Sequence, residues 1–332
     1  MRYDDFKVFL PKKILDAHVH ILHKESWKDG YVFKPDDYKM IFNLHFGVPE
    51  YMEQMSQLLP QQEMSVNVFG CPEVGIDLAD ADAFTGSFVD EERVFGMALV
   101  SPRDSAEALL ARMRSGRLIG YKPYQSFASY NKPLKEVELF DMMTPEQLEM
   151  ANHYGWATTV HIPRQERLAD ELNLKQMEAW VKRYPNVKFI FAHLGRSYFL
   201  NCIKGRLERF ADYGNCYFDT AMVNNDRVLE YAFRHFPVSR LVFGTDSPIA
   251  LLPGKSVEIN DQYVYMMGRA NCHIGTSLDA SASGLAFTSF YYEQLNGIMV
   301  AAEYAGLDAT QVEAFFYGNA YKLFKEASKW LN

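Results

Sequence analysis

Cysteine is scarce in this chain of 332 residues: Cys71, Cys202, Cys216 and Cys272 are widely spaced and form no CxxC pair. That argues against a disulfide framework or a structural zinc clip and makes a reducing compartment the simpler expectation. Positive charge is also in short supply. Lys and Arg number 34 against 42 Asp and Glu, a net charge of −8, so the basic footprint of a general nucleic-acid binder is missing. No apolar run approaches the roughly 18 residues of a membrane span. The opening MRYDDFKVFLPKK lacks the apolar centre of a leader peptide. Low-complexity tracts, internal repeats and Gly/Ser/Pro-rich linkers are absent as well, so residues 1–332 read as one domain of a soluble, cytoplasmic protein.

What is there is a regular alternation of short apolar runs with helical stretches. Runs that read as buried strands are Ile14–His20, Ser65–Cys71, Val94–Val100, Leu118–Tyr124, Ala157–Ile162, Val187–His193, Cys216–Thr220 and Leu241–Asp246. Between two of them Leu174, Met177, Trp180, Val181 and Tyr184 follow helical spacing and Pro185 stops the helix. Near the C-terminus Asp308 and Gln311 form a capping box ahead of an apolar stripe through Val312, Phe315, Phe316, Ala320, Leu323 and Phe324. Eight strand-plus-helix units over about 250 residues are the arithmetic of a (β/α)8 TIM barrel. A doubly wound open sheet is the alternative.

Two stretches are too long for the repeating unit. Residues 23–49, after the first strand, carry Trp27, Tyr31, Phe33, Tyr38, Phe42, His45 and Phe46; residues 251–285, after the eighth, carry Tyr263, Tyr265, Met266, Met267 and the small-residue run SLDASASG. In a barrel both would lie at the C-terminal mouth, covering a substrate, or packing on the barrel or on a second subunit of a homo-oligomer.

The chemistry gathers at strand ends. His18 and His20 close ILDAHVH, and strand periodicity aims positions i and i+2 to one side, here read as the barrel interior. His161 ends TTVHI, His193 ends FIFAH and Asp246 ends LVFGTD. Any one of them alone reads most simply as a hydrogen-bonded core residue. Together, at the ends of the first, fifth, sixth and eighth strands, they form a set that a barrel brings to one place, and buried imidazoles or carboxylates without partners cost several kcal/mol. A metal supplies the partner: three His nitrogens and one carboxylate suit a zinc-type ion, leaving His193 as a base.

These residues stand in segments that resemble the amidohydrolase superfamily, in particular the amidohydrolase-related branch of metal-dependent TIM-barrel enzymes. The matching pieces are LDAHVH, LIGYKPY, TTVHI, YPNVKFIFAHLGRS, VFGTDSP and FFYGNAYKLF, spread in order over nearly the whole chain. The resemblance implies that His18, His20 and His161 are metal ligands, that Asp246 binds the ion, activates its water, or both, and that His193 acts as acid/base or polarises the substrate. Lys122 matches the position of the carbamylated bridging lysine of binuclear members; in this branch it is expected to bind substrate beside one divalent ion, zinc by default and manganese otherwise. The implied activity is hydrolysis of an amide, ester or lactone. Decarboxylation or hydration of an aromatic or muconate-like acid by the same site is the alternative, and a barrel that only binds a ligand is the third reading.

Arg103, Lys122, Arg164 and Arg196 fall near the predicted mouth and suggest a small anionic, carboxylate-bearing substrate, with Arg164 and Arg196 as the leading pair. The competing reading pairs these cations with Asp104, Glu166 or Asp170. His23, His45 and His273 lie in mouth loops, His153 and His235 on predicted helices, and Cys71 reads as a buried structural thiol.

Overall fold

A computed structural model describes residues 1–128, 132–269 and 272–331. All eight apolar runs form strands: β1 (Lys13–Ile21), β2 (Glu63–Gly70), β3 (Val94–Gly96) with β4 (Ala98–Val100), β5 (Gly120–Pro123), β6 (Ala157–Val160), β7 (Lys188–Phe191), β8 (Cys216–Asp219) and β9 (Leu241–Val242). The third run divides at Met97 because it changes partner: β3 pairs with β2 and β4 with β5, and every one of these pairings is parallel. Backbone bonds from Ala17 N to Phe243 O (2.9 Å), His20 N to Ser247 O (2.7 Å) and Asp246 N to His18 O (2.8 Å) join the last run to β1. The ladder therefore closes into the expected (β/α)8 barrel.

One irregularity decides which way the first strand faces. Along β1 and β2, Asp16 opposes Val66 but Val19 opposes Val68, so β1 carries one extra residue, a bulge. Leu15 before it and Ala17 within it belong to the interior cluster with Phe69, Phe95, Met97, Ile119 and Val242; after it, Val19 and Ile21 pack outward with the helices. Without the bulge, His18 and His20 would have pointed into the helix layer. The interior cluster is filled from the C-terminal helix Asn319–Ala327 by Ala320, Leu323 and Phe324. That helix follows the Asp308–Gln311 capping box anticipated from the sequence, with a wider turn over Ala314–Gly318 between them.

The insertion after β1 runs through short helical turns, including Tyr38–Phe42. The one after β9, expected as a long stretch at the mouth, is a small sheet: β10 (Gly254–Ile259) and β11 (Gln262–Met267) form an antiparallel hairpin, with β12 (Ser277–Asp279) parallel to β11. Residues 270–271 of this insertion lie outside the described residues. The two insertions meet where His273 N donates to Asp36 O at 3.2 Å. Among the described residues, no helix is long and apolar enough to cross a membrane.

Candidate metal centre

Strand ends build the floor of a cavity of about 740 Å³. Three imidazoles converge there on Asp246: His20 Nε2 lies 3.3 Å and His18 Nε2 3.5 Å from Oδ1, and His193 Nε2 lies 4.0 Å from Oδ2. Each ring is held from behind. Nδ1 of His18 donates to Asp219 Oδ2 (2.9 Å), that of His20 to Gly70 O (3.1 Å) and that of His193 to Ala221 O (2.9 Å). These partners only accept, so the tautomers follow: each Nε2 presents a lone pair to the centre. Burial, together with the nearby Lys122 ammonium, pushes the His18 imidazole well below its ordinary value, and burial lowers His20 too. Burial favours a neutral Asp246, but a hydrogen bond from His20 and the positive charge of the neighbouring imidazoles, when they are protonated, overcome it and hold the carboxyl well below the usual carboxylate range.

Lone pairs and carboxylate oxygens packed within about 4 Å repel unless a cation or a proton lies between them. The donor set thus fits a divalent ion: neutral imidazoles with anchored far nitrogens plus an ionised carboxylate are what such an ion requires. Among the described residues, His18, His193 and Asp246 form a candidate group whose ligand atoms all lie within 4.8 Å of one another. His161 stands beside it, its ring 5.3 Å from that of His193 and 4.7 Å from that of Tyr124. Its Nδ1 is buried with no hydrogen-bond partner, and burial pushes it well below the ordinary histidine value.

The backbone at two of these positions is unusual. His193, Leu194, Gly195 and Arg196 all have positive φ (57°, 51°, 66° and 60°), one left-handed turn, and Asp246 has φ 69°. Such conformations are unfavourable for L-residues and persist where surrounding bonds over-determine them. The turn starts with His193 N donating to Asp219 Oδ1 at 2.7 Å, so one carboxylate orients His18 and anchors His193. Asp219 was not singled out in the sequence. The rule that found the others, an apolar run ending in His or Asp, applies equally to CYFD.

The four proposed substrate cations separate. Lys122 is fully buried, donates to His18 Nε2 at 3.1 Å, and burial pushes it down to about 8. Arg196 lines the cavity, steered by bonds from Nη1 to the carbonyls of Ile162 (3.0 Å) and Arg164 (3.1 Å). Arg164 does not line it: its guanidinium turns to Asp170 at 2.7 Å, the loop ion pair that was the competing reading. Arg103 lies in a different depression, beside Ser101, Asp104 and Arg112, because the chain after β4 turns outward toward the helix Ala106–Ser115.

Tyr31, Tyr38, Tyr124, Tyr198, Tyr263 and Tyr265 line the cavity above the floor. Lys39 is buried at the rim between Asp37 (2.9 Å) and Glu73 (3.3 Å), a cation the sequence did not point to. Cys71 and His273 also line the cavity, and burial raises the Cys71 thiol. His23 instead stacks on Phe84 with ring centroids 4.0 Å apart. His45 pairs with Glu50. His153 and His235 are on helices as expected. All four cysteines are free and buried.

A model of the amidohydrolase family matches residues 15–325. No curated protein sequence matches the chain. Solved structures match along nearly its whole length. 4-Oxalomesaconate hydratase from Rhodopseudomonas palustris is 15% identical with a TM-score of 0.59, covering 96% of this chain and 97% of that one. A probable 2-pyrone-4,6-dicarboxylic acid hydrolase from Acinetobacter baumannii with bound citric acid is 12% identical, TM-score 0.56, covering 94% and 98%. 2,6-Dihydroxybenzoate decarboxylase from Rhizobium is 11% identical, TM-score 0.55, covering 95% and 99%. At these identities the likeness establishes the barrel fold.

Proposed function

The chain belongs to the amidohydrolase family, and on that premise we propose that it hydrolyses a small carboxylate-bearing amide, ester or lactone with the help of one divalent ion, zinc or manganese. The observation that carries this is the convergence of three anchored imidazoles on an ionised Asp246. His18, His20 and Asp246 would hold the ion, with His161, whose buried Nδ1 still needs a partner, as the fourth ligand. When bound, the ion would act as a Lewis acid and lower the pKa of a water to about 7.

The protein's own groups do the rest. Asp246 accepts the proton of the attacking water at a carboxylate oxygen. His193, its Nδ1–H fixed on Ala221 O, receives that proton from Asp246 at Nε2 and delivers it to the leaving group. Arg196, and Lys122 at the floor, bind the substrate carboxylate.

A second reading, decarboxylation or hydration of an aromatic or muconate-like acid, is favoured by the tyrosine-lined wall, which suits a planar unsaturated substrate. It is also the chemistry named for two of the structural neighbours. Metal content by mass spectrometry of protein purified without chelator, beside a His18→Ala/His20→Ala variant, tests the site; we expect about one ion per chain in the parent and almost none in the variant. A screen of lactones, amides and aromatic acids then separates the reactions, because carbon dioxide release marks the decarboxylase. A folded parent with no metal and no activity on adding ions would overturn both readings.

A further inference from the structure

We propose that Asp16 is the positioning residue of this centre, holding both the bulge that turns His18 and His20 inward and the left-handed conformation of Asp246. The inference rests on reading Asp246 as part of the centre. Asp16 is fully buried and outside the cavity, so it touches no substrate. Its Oδ1 accepts from His18 N (3.1 Å) and Thr245 N (2.9 Å); its Oδ2 accepts from Thr245 Oγ1 (2.6 Å) and Tyr51 Oη (2.9 Å).

Each bond has a geometric consequence. The bond to His18 N lies inside the bulge, where the ladder to β2 shifts register, and Asn67 Nδ2 takes up the bulged Ala17 carbonyl at 3.1 Å. The two bonds to Thr245 reach the residue before Asp246. Thr245 Oγ1 in turn accepts from Ser247 N (3.0 Å) and contacts Ser247 Oγ (2.8 Å), so the residues on both sides of Asp246 hang on one carboxylate. Asp246 itself, at φ 69°, makes its backbone bond to His18 O. One side chain therefore ties the first and last strand ends together beside the backbone bonds that join them, and with those ends the imidazoles and the acid.

The test compares the bonds of this carboxylate. Thr245→Val removes the hydroxyl bonds of the arm toward Asp246 and leaves the backbone N–H bond of residue 245, Tyr51→Phe cuts the arm away from it, Asp16→Ala cuts all, and Asp16→Asn keeps the shape, with its oxygen on the two N–H groups and its amide on the two hydroxyls. Zinc dissociation constants are measured by competition with a chromophoric chelator, beside thermal unfolding. Thr245→Val and Asp16→Ala should weaken zinc binding by about tenfold to a hundredfold, as other outer partners of metal ligands do. Tyr51→Phe should stay within about twofold, and Asp16→Asn should restore most of the affinity lost in Asp16→Ala. Equal weakening in Tyr51→Phe and Thr245→Val, or none in Thr245→Val, overturns the proposal. If the parent binds no divalent ion, the reading of the centre fails on its own, and a crystal structure of Thr245→Val decides the clamp. An Asp246 carboxylate displaced from His20 sustains it; one unmoved from the 3.3 Å contact overturns it.

Discussion

The floor and the roof of the cavity are built on different principles. On the floor the anchoring side chains are buried and paired: Asp16 accepts four hydrogen bonds, Asp219 three, and three imidazoles have their far nitrogens tied to fixed acceptors. In the roof the two insertions touch through His273 N on Asp36 O, Lys39 is held at the rim between Asp37 and Glu73, and Val32 is left 85% and Leu278 57% exposed. Groups that must keep sub-ångström relations sit on strand ends locked by the barrel, whereas much of the tyrosine wall, Tyr31, Tyr38, Tyr263 and Tyr265, sits on insertions.

This contrast can be broken by experiment. The largest effect is expected on the floor: Asp246→Asn should lower turnover by about 10³ or more without unfolding the protein, the scale of losing an acid/base group, and steady-state kinetics beside circular dichroism checks it. Next is a floor residue that costs stability. Lys122 has a folded-state pKa near 8 against an ordinary 10.5, so the folded state binds fewer protons than the unfolded one between those values. Its penalty is full below pH 8 and fades as pH rises through 10.5. Lys122→Met should therefore raise the unfolding free energy of chelator-treated protein at pH 7 by up to about 3 kcal/mol and lose that advantage at high pH; denaturant titrations across pH read both.

Asp219→Asn should weaken metal binding or activity about tenfold to a hundredfold, because His18 and His193 lose one shared anchor; chelator competition measures it. Arg196→Ala should raise KM for a carboxylate substrate by about tenfold or more, the worth of a charged hydrogen bond. Arg164→Ala, its cation already spent on Asp170, should not raise it. Equal effects of the two would dissolve the distinction drawn between the arginines. Smallest of all, Leu278→Ser on the outer roof, outside the cavity lining, should leave kcat and KM within about twofold, as surface changes do.

Much of the floor was legible along the chain. Apolar runs ending in His or Asp mark His18, His20, His161, His193 and Asp246, because a barrel strand is apolar along its length and polar only where it meets the site. Asp219 obeys the same rule and was passed over. The arginines were not legible: spacing of three residues after a strand places a side chain near the mouth, but whether it turns inward depends on neighbours such as Asp170, or on carbonyls such as those of Ile162 and Arg164. The small sheet of the second insertion was also hidden, since its residues share no strict alternation of apolar and polar positions.

By itself the sequence determined eight apolar strands, their alternation with helices and the sharing of one side by His18 and His20, because these follow from local periodicity. Which side that would be was settled only by the extra residue in β1, whose register shift exists between two strands rather than within one. The same holds for the charge state of the centre. A carboxylate and three imidazoles far apart in sequence repel or share a cation only once the closed barrel has brought them within about 4 Å, where their interaction outweighs solvation.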